Sequence, residues 1–104
     1  MTEQAVQIGL DLDGEGLPTS EQVAAVRRLE RSIEAAIAAD DTGELDGDEF
    51  GGGQVTLYLY GPDADRLLAS VEQLVKDFPA ADRWAELRYG DLDDPSALER
   101  RIQL

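Results

Sequence analysis

The residues of this sequence that could do chemistry are almost all carboxylates, because the chain contains no cysteine and no histidine. Disulfides, thiolate nucleophiles and cysteine-based metal centres are therefore excluded. The commonest general base and transition-metal ligand is missing as well. Nine Lys and Arg residues face 23 Asp and Glu residues, a net charge of −14. This composition leaves open two chemistries: acid–base work by carboxylates or tyrosine, and the binding of Ca²⁺ or Mg²⁺.

The segment Asp11-Leu12-Asp13-Gly14-Glu15-Gly16 has the spacing of the first half of a calcium-binding loop. Such a loop needs a bidentate glutamate at its twelfth position, where this chain has the neutral amide of Gln22. The preceding segment also alternates like a strand, whereas a calcium loop follows a helix. We therefore interpret the segment as a strand-to-helix turn whose acids favour the positive end of the next helix. We predict no metal site and no cofactor, with a divalent-metal protein as the alternative.

Two further motifs have ordinary structural interpretations. Gly51-Gly52-Gly53 leads into a strand, whereas phosphate loops lead into a helix, so we interpret it as a hairpin turn. Asp63 and Asp65 stand where a helix begins, and capping alone selects such residues. We therefore predict no catalytic residues and a non-enzymatic protein, with a carboxylate-dependent enzyme as the alternative.

The elements that must position these residues follow from hydrophobic periodicity. Strict alternation predicts strands at residues 5–12, 54–60 and 84–89. Helical spacing predicts one helix opened by a Thr19/Gln22 capping box and ending near Asp40, and a second helix capped by Asp63 and ended by Pro79. Residues 42–50 predict a weak edge strand with a bulge at Gly47. Residues 99–104 fit a short strand or a helical turn.

The element order, strand–helix–strand–strand–helix–strand, predicts an α+β ferredoxin-like sandwich, with two helices on one face of an antiparallel sheet. We predict one domain of this kind over residues 1–104. Arg27, Arg28 and Arg31 are interpreted as a solvated helix face, paired in part with Glu30 and Glu34. The predicted core is shared by Val6, Ile8, Leu10, Leu57, Leu59, Leu67, Val71, Leu74 and Phe78.

Three strings of the sequence resemble a group of small bacterial proteins of ferredoxin-like fold. The strings are GELDGDEFGGG, LYLYGPDADRLL and LRYGDLDDP, in this order along the chain. The resemblance covers about residues 5–104 and implies the same fold. It implies no activity and no functional residue, because none is established for that group.

The predicted topology brings acids that are distant in sequence to one end of the sheet, which we call the acidic pole. Its members are Asp40, Asp41, Glu44, Asp63, Asp65, Asp91, Asp93 and Asp94. Arg66 is the main cation expected nearby. Tyr58 and Tyr60 are predicted on the open sheet face beside the pole, either as apolar anchors for a partner or packed against Arg88 or Trp84.

These observations predict an acidic protein-binding module that receives a basic partner, as an immunity or inhibitor protein does. The net charge repels nucleic acid and anionic lipid, so neither is predicted as a partner. The sequence has no apolar run near the ~20 residues that span a bilayer and no secretory leader pattern, which predicts a cytoplasmic location.

Overall fold

Two helices pack against one face of an antiparallel sheet. The computed structural model describes residues 3–14, 16–91 and 93–104, and within them the sheet has five strands in the order β2-β3-β1-β4-β5. The ferredoxin-like α+β sandwich is thus confirmed. The elements are β1 (Gln4–Asp11), α1 (Ser20–Asp40), β2 (Glu44–Gly51), β3 (Gln54–Gly61), α2 (Ala64–Asp77), β4 (Asp82–Arg88) and β5 (Glu99–Gln103).

The core forms where the inward residues of the central strands meet the apolar stripes of the helices. Within the sheet, Val6 lies opposite Leu59 and Ile8 opposite Leu57, and all four are fully buried. The predicted core is confirmed except at Leu74, which packs against its edge and is only partly buried. The helical stripe made Leu74 equivalent to Leu67, but Leu67, Val71 and Val75 of the same helix are fully buried and Leu74 is not.

Helix α1 begins with the predicted capping box and ends at an aspartate in the left-handed conformation. The Thr19 hydroxyl accepts from the Gln22 amide at 3.1 Å, and the Gln22 side chain accepts from the Thr19 amide at 2.8 Å, which completes the capping box. At the other end Asp41 closes the helix with φ 54° and ψ 47°, and the last turn contains no Lys or Arg. In the part of the chain that the structure describes, neither helix is long and apolar enough to cross a membrane.

The edge strands and one hairpin turn bear on three details of the sequence prediction. The register of β2 against β3 shifts between Leu45 and Gly47, so the predicted bulge is confirmed, with Asp46 as the extra residue. The hairpin turn uses Gly52 and Gly53, whose φ values are 59° and 78°, whereas Gly51 belongs to β2. The last segment is a strand, β5, which pairs with β4 at the sheet edge.

The open face of the sheet is covered in part by Trp84. Its indole lies across Gly9, where even a single added carbon would overlap the ring. The Arg101 guanidinium carbon lies 5.1 Å from the ring centroid, and Arg101 also pairs with Glu86 at 2.9 Å. The indole is therefore held between the sheet backbone and a cation from β5.

Candidate functional site

The sheet register and several hydrogen bonds bring members of the acidic pole from different elements to the same end of the sheet. The sheet register places Glu44 opposite Tyr60. Two long-range hydrogen bonds join the surrounding loops to this end. The Glu3 amide donates to Asp91 Oδ1 at 3.0 Å, and the Tyr89 hydroxyl donates to Asp65 Oδ1 at 2.7 Å. The first bond joins residues 88 apart in the chain, and the second joins residues 24 apart.

Four of the eight acids of the acidic pole serve the fold itself. Asp63 accepts from the Arg66 amide and caps α2, while Asp65 accepts from Tyr89 and Asp91 from the Glu3 amide. Asp94 accepts from both the amide and the hydroxyl of Ser96, and these bonds lower the pKa of Asp94. These hydrogen bonds within the fold explain the four positions without a partner.

The other four acids of the pole, Asp40, Asp41, Glu44 and Asp93, are exposed. Within residues 3–14, 16–91 and 93–104, no hydrogen bond or ion pair reaches their side chains. Asp40 and Asp41 also stand at the end of α1, where the free carbonyl groups already carry partial negative charge. Each carboxylate there costs about 0.3–1 kcal/mol when no cation offsets it. Local structure therefore disfavours this pair.

Gly43 and Gly61 allow two backbone segments of the acidic pole to approach each other closely. A side chain on Gly43, whose φ is 153°, would overlap the Tyr60 carbonyl oxygen, and one on Gly61 would overlap the Thr42 carbonyl oxygen. Next to these two glycines, the hydroxyls of Thr42 and Ser70 are hydrogen-bonded at 2.8 Å. This packing joins the start of β2, the end of β3 and helix α2.

Tyr58 and Tyr60 lie half-buried on the open face of β3, next to the pole. The alternative in which they pack against Arg88 or Trp84 as cross-strand partners is wrong, because β1 stands between β3 and β4. Trp84 instead covers Gly9 of β1, and Arg88 pairs with Glu99 on β5 at 2.5 Å. Neither side chain therefore lies on a strand that pairs directly with β3.

The phenol of Tyr60 is held in its neutral form. Burial raises the pKa of Tyr60, and the negative charges of Asp46 and Glu3 raise it further. The phenol thus remains protonated well above neutral pH, and its O–H can donate a hydrogen bond. An acidic surround of this kind also attracts cations to the tyrosine surface.

A cluster that the sequence did not predict lies between α1 and β2. Arg27 Nη1 donates to Glu30 Oε1 at 2.9 Å and also to Asp48, and its guanidinium carbon lies 5.7 Å from the Phe50 ring centroid. The predicted pair with Glu30 is confirmed, whereas Asp48 was missed. The alternation of Asp48 and Phe50 on the inward face of β2 is the signal that could have found it. An inward acid on an edge strand needs a cation from the helix above.

Glu30 is the buried member of this cluster, with 8% of its surface exposed. Burial raises the pKa of Glu30, the Asp48 carboxyl raises it further, and Arg27 acts in the opposite direction. The Arg27 pKa is raised in turn, chiefly by its hydrogen bond to Glu30.

Two open grooves flank the end of α1. One, of about 320 Å³, is lined by Glu34, Ile37, Ala38, Gly43, Glu44 and Leu45. The other, of about 290 Å³, is lined by Asp40, Thr42, Arg66, Ala69 and Ser70. The first groove includes Glu44 and the second includes Asp40. Both are acids of the pole that have no partner in the described chain.

The calcium-like segment is taken up by the turn that precedes α1. Asp11 Oδ1 accepts from the Asp13 amide at 3.0 Å, and Gln22 Nε2 donates to the Leu12 carbonyl at 2.6 Å. Glu15 lies outside the described residues. Among the residues that are described, no three or more acidic side chains lie close enough to hold a metal ion.

Comparison with known proteins does not assign the chain to a family. No protein-family model matches the chain, and a search of curated proteins finds no match. Among solved structures, the chain is similar to part of the protein in a crystal structure of TiaS in complex with a tRNA, AMPCPP and agmatine. The identity is 15% and the TM-score 0.48, over 84% of this chain and 23% of that one. A similarity this weak carries no argument about function, and the sequence resemblance to small bacterial proteins remains a prediction.

Proposed function

We propose that this protein is a non-enzymatic binding module that receives a basic surface of another protein at its acidic pole. The observation that carries the proposal is the pair Asp40 and Asp41 at the end of α1. Both are exposed, and both oppose the helix dipole in a turn that has no cation. Residues that break a local rule without a gain to the fold are candidates for function.

A basic protein matches this surface for electrostatic reasons. Nucleic acids and anionic lipids would add negative charge to a chain of net charge −14. Cations of a partner would instead relieve the repulsion among the acids of the pole and attract the partner from a distance. Neutralising a basic enzyme or toxin, as immunity and inhibitor proteins do, is the specific role that we propose.

The test uses one quadruple variant and a matched control. The pole variant carries Asp40→Asn, Asp41→Asn, Glu44→Gln and Asp93→Asn, which are the four acids without partners. The control removes the same charge at the opposite end of the sheet, with Asp13→Asn, Glu21→Gln, Glu49→Gln and Asp77→Asn. Basic proteins are captured from source-cell lysate on the unchanged protein, and their association rates with all three forms are measured.

We expect the pole variant to associate roughly tenfold more slowly at low salt, with a weaker dependence on salt, because the steering charge is gone. The control should change the rate much less. Equal losses in both variants would mean that only net charge matters, and an unchanged rate in the pole variant would exclude the pole as the binding surface.

A further inference from the structure

The open face of the sheet, on which no helix packs, differs in composition between its two halves. In the half formed by β4 and β5, Arg88 pairs with Glu99. Arg101 pairs with Glu86, and its guanidinium carbon lies 5.1 Å from the ring centroid of Trp84. Each of these two arginines is therefore held by a carboxylate, and Arg101 is held by an aromatic ring as well.

The half formed by β2 and β3 contains aromatic rings and a carboxylate but no cation. Tyr58 and Tyr60 alternate with buried residues of β3, and the register places Glu44 directly opposite Tyr60. Residues 32–65, which include both strands, contain no Lys or Arg. Within the described chain, no ion pair reaches the Glu44 side chain. This half therefore repeats the ring and the carboxylate of the other half without the arginine.

The electrostatics of Tyr60 agree with this arrangement. Burial raises its pKa first, and the negative charges of Asp46 and Glu3 raise it further. Asp46 is the extra residue of the β2 bulge, and Glu3 immediately precedes β1. Negative charge thus reaches the phenol from the sides of both neighbouring strands, independently of Glu44, and attracts any cation that a partner brings there.

Strand β2 leaves room for a side chain beside Tyr58. The register pairs Tyr58 with Gly47, and a carbon added at Gly47 would meet no atom within 4 Å beyond its chain neighbours. A partner side chain can therefore lie on β2 next to Tyr58. Four residues form this surface, which we call the tyrosine face: Glu44, Gly47, Tyr58 and Tyr60.

We propose that the tyrosine face docks an arginine-bearing segment of the basic protein partner. The inference rests on the proposed function and adds the surface that holds the partner after its charge has been attracted. A guanidinium stacks on a tyrosine ring and donates to a carboxylate at the same time, as Arg101 does with Trp84 and Glu86. Tyrosine and arginine are also enriched among the residues that dominate interface energies.

Charge distinguishes this occupant from the others that a tyrosine surface accepts. The bases of a single-stranded nucleic acid also stack on tyrosine, but their phosphates would meet Glu44, Asp46 and Glu3. A second copy of the chain would bring another net charge of −14. A lysine supplies a cation but has no planar group to stack on the ring.

The probe is a short Gly-Ser peptide with two arginines spaced as neighbours on one side of an extended strand. Companion peptides carry lysine or citrulline at both positions; citrulline keeps the shape and lacks the charge. Each is titrated into the full chain with isotope-labelled tyrosine, while the ring signals of Tyr58, Tyr60 and Tyr89 and the indole signal of Trp84 are followed by NMR.

We expect the arginine peptide to shift the signals of Tyr58 and Tyr60 at lower concentration than that of Tyr89, which lies at the acidic pole. The Trp84 signal should stay unchanged, because Arg101 already occupies that ring. The lysine peptide should bind more weakly, and the citrulline peptide should leave the tyrosine signals unchanged.

Three variants locate the binding. Gly47→Val fills the open space beside Tyr58 without changing charge, and Tyr60→Leu removes one ring but keeps an apolar side chain. Gly51→Val is the matched control, because Gly51 lies on the same face of β2, opposite Gln54, and an added carbon there also meets no atom within 4 Å. We expect the first two variants to weaken arginine-peptide binding by roughly threefold or more and Gly51→Val by less than about 1.5-fold. Spectra of the free variants verify that each is folded.

Several results would overturn the inference while leaving the proposed function standing. These are an absence of shifts at Tyr58 and Tyr60, no effect of Gly47→Val, equal weakening by Gly51→Val, or equal binding of the lysine or citrulline peptide. Tyrosine signals that depend on protein concentration would assign the face to a second copy and also overturn it.

Two further results would reject more than the tyrosine face. A short single-stranded oligonucleotide that shifts the signals of Tyr58 and Tyr60 more strongly than the arginine peptide would contradict both proposals. Both also fail if the arginine peptide shifts no tyrosine signal and the quadruple pole variant associates normally with captured proteins.

Discussion

At the scale of single residues, Asp41 combines two unfavourable features. Its φ of 54° lies in the left-handed region that glycine adopts most easily, and its charge lies at the negative end of α1. Glycine is the residue that most often occupies such a position after a helix. Aspartate at this position therefore makes the fold less stable than glycine would, and the fold gains nothing from it in return.

Replacing Asp41 with glycine should stabilise the protein by about 1 kcal/mol, because it relieves both backbone strain and helix-end repulsion. Urea unfolding measures the change. Asp40→Gly is the matched control: it removes the same charge, but Asp40 is helical, so the flexibility of glycine should offset the gain. An equal stabilisation by both changes would show that charge alone matters and that the left-handed conformation is not strained.

Glu30 predicts a dependence of stability on pH. Its pKa is raised in the folded chain above the ordinary value of 4.5, first by burial. As the pH rises past 4.5, the unfolded chain loses this proton first. The contribution of Glu30 to stability is thus complete below that pH and is lost as the pH rises through the folded pKa.

Glu30→Gln should therefore remove part of the fall in unfolding free energy that occurs as the pH rises above 4.5. The slope is measured by urea unfolding at a series of pH values. The matched control is Glu34→Gln, which removes the same charge at an exposed position one turn further along α1. Parallel curves for Glu30→Gln and the unchanged protein would contradict the assignment.

At the scale of elements, the sequence predicts what local chemistry determines. The Thr19/Gln22 capping box, the Asp63 cap and the alternation of β3 each specify their element, and all are confirmed. The last segment was ambiguous because Glu99–Gln103 has one inward apolar residue, Ile102, which packs against the core from the edge. Its conformation comes from pairing with β4, which is a tertiary effect.

Leu67 and Leu74 of α2 test how far burial follows the helical stripe. Leu67 is fully buried and Leu74 only half-buried, although both belong to the same stripe. Leu67→Ala should cost about 2–5 kcal/mol, and Leu74→Ala clearly less, because part of its surface burial is missing. Denaturant unfolding of both variants provides the comparison. Equal costs would mean that Leu74 contributes to the core as the sequence pattern alone predicts.

At the scale of the whole molecule, the sequence predicts which end of the sheet carries the acidic residues. It does not predict which of those residues form hydrogen bonds within the fold. Strand order follows from the order of elements, so the position of the acidic pole could be predicted. The bonds to Asp65 and Asp91 depend on how Tyr89 and the Glu3 amide approach the pole, and no local pattern encodes those approaches. The cluster of Arg27, Glu30 and Asp48 differs, because the alternation of Asp48 and Phe50 on β2 is a sequence signal for it.

A net charge of −14 should make the folded chain sensitive to ionic strength. Screening the repulsion at the pole should stabilise the fold by about 1 kcal/mol, which corresponds to roughly 4–8 °C in melting temperature. At matched ionic strength, NaCl should act nearly as well as CaCl₂. A large stabilisation by sub-millimolar Ca²⁺ alone would instead support the divalent-metal alternative.

The position of Trp84 has a practical consequence for following this protein in solution. Trp84 is the sole tryptophan of the chain, and it lies on the open face of the sheet, away from the buried core. Because Arg101 of β5 covers the indole, its fluorescence reports whether the β4–β5 edge is docked. Far-ultraviolet circular dichroism reports mainly on α1 and α2. Fluorescence and dichroism therefore report on opposite layers of the sandwich. If the two signals change at different times during unfolding, fraying of the β4–β5 edge can be distinguished from loss of the core.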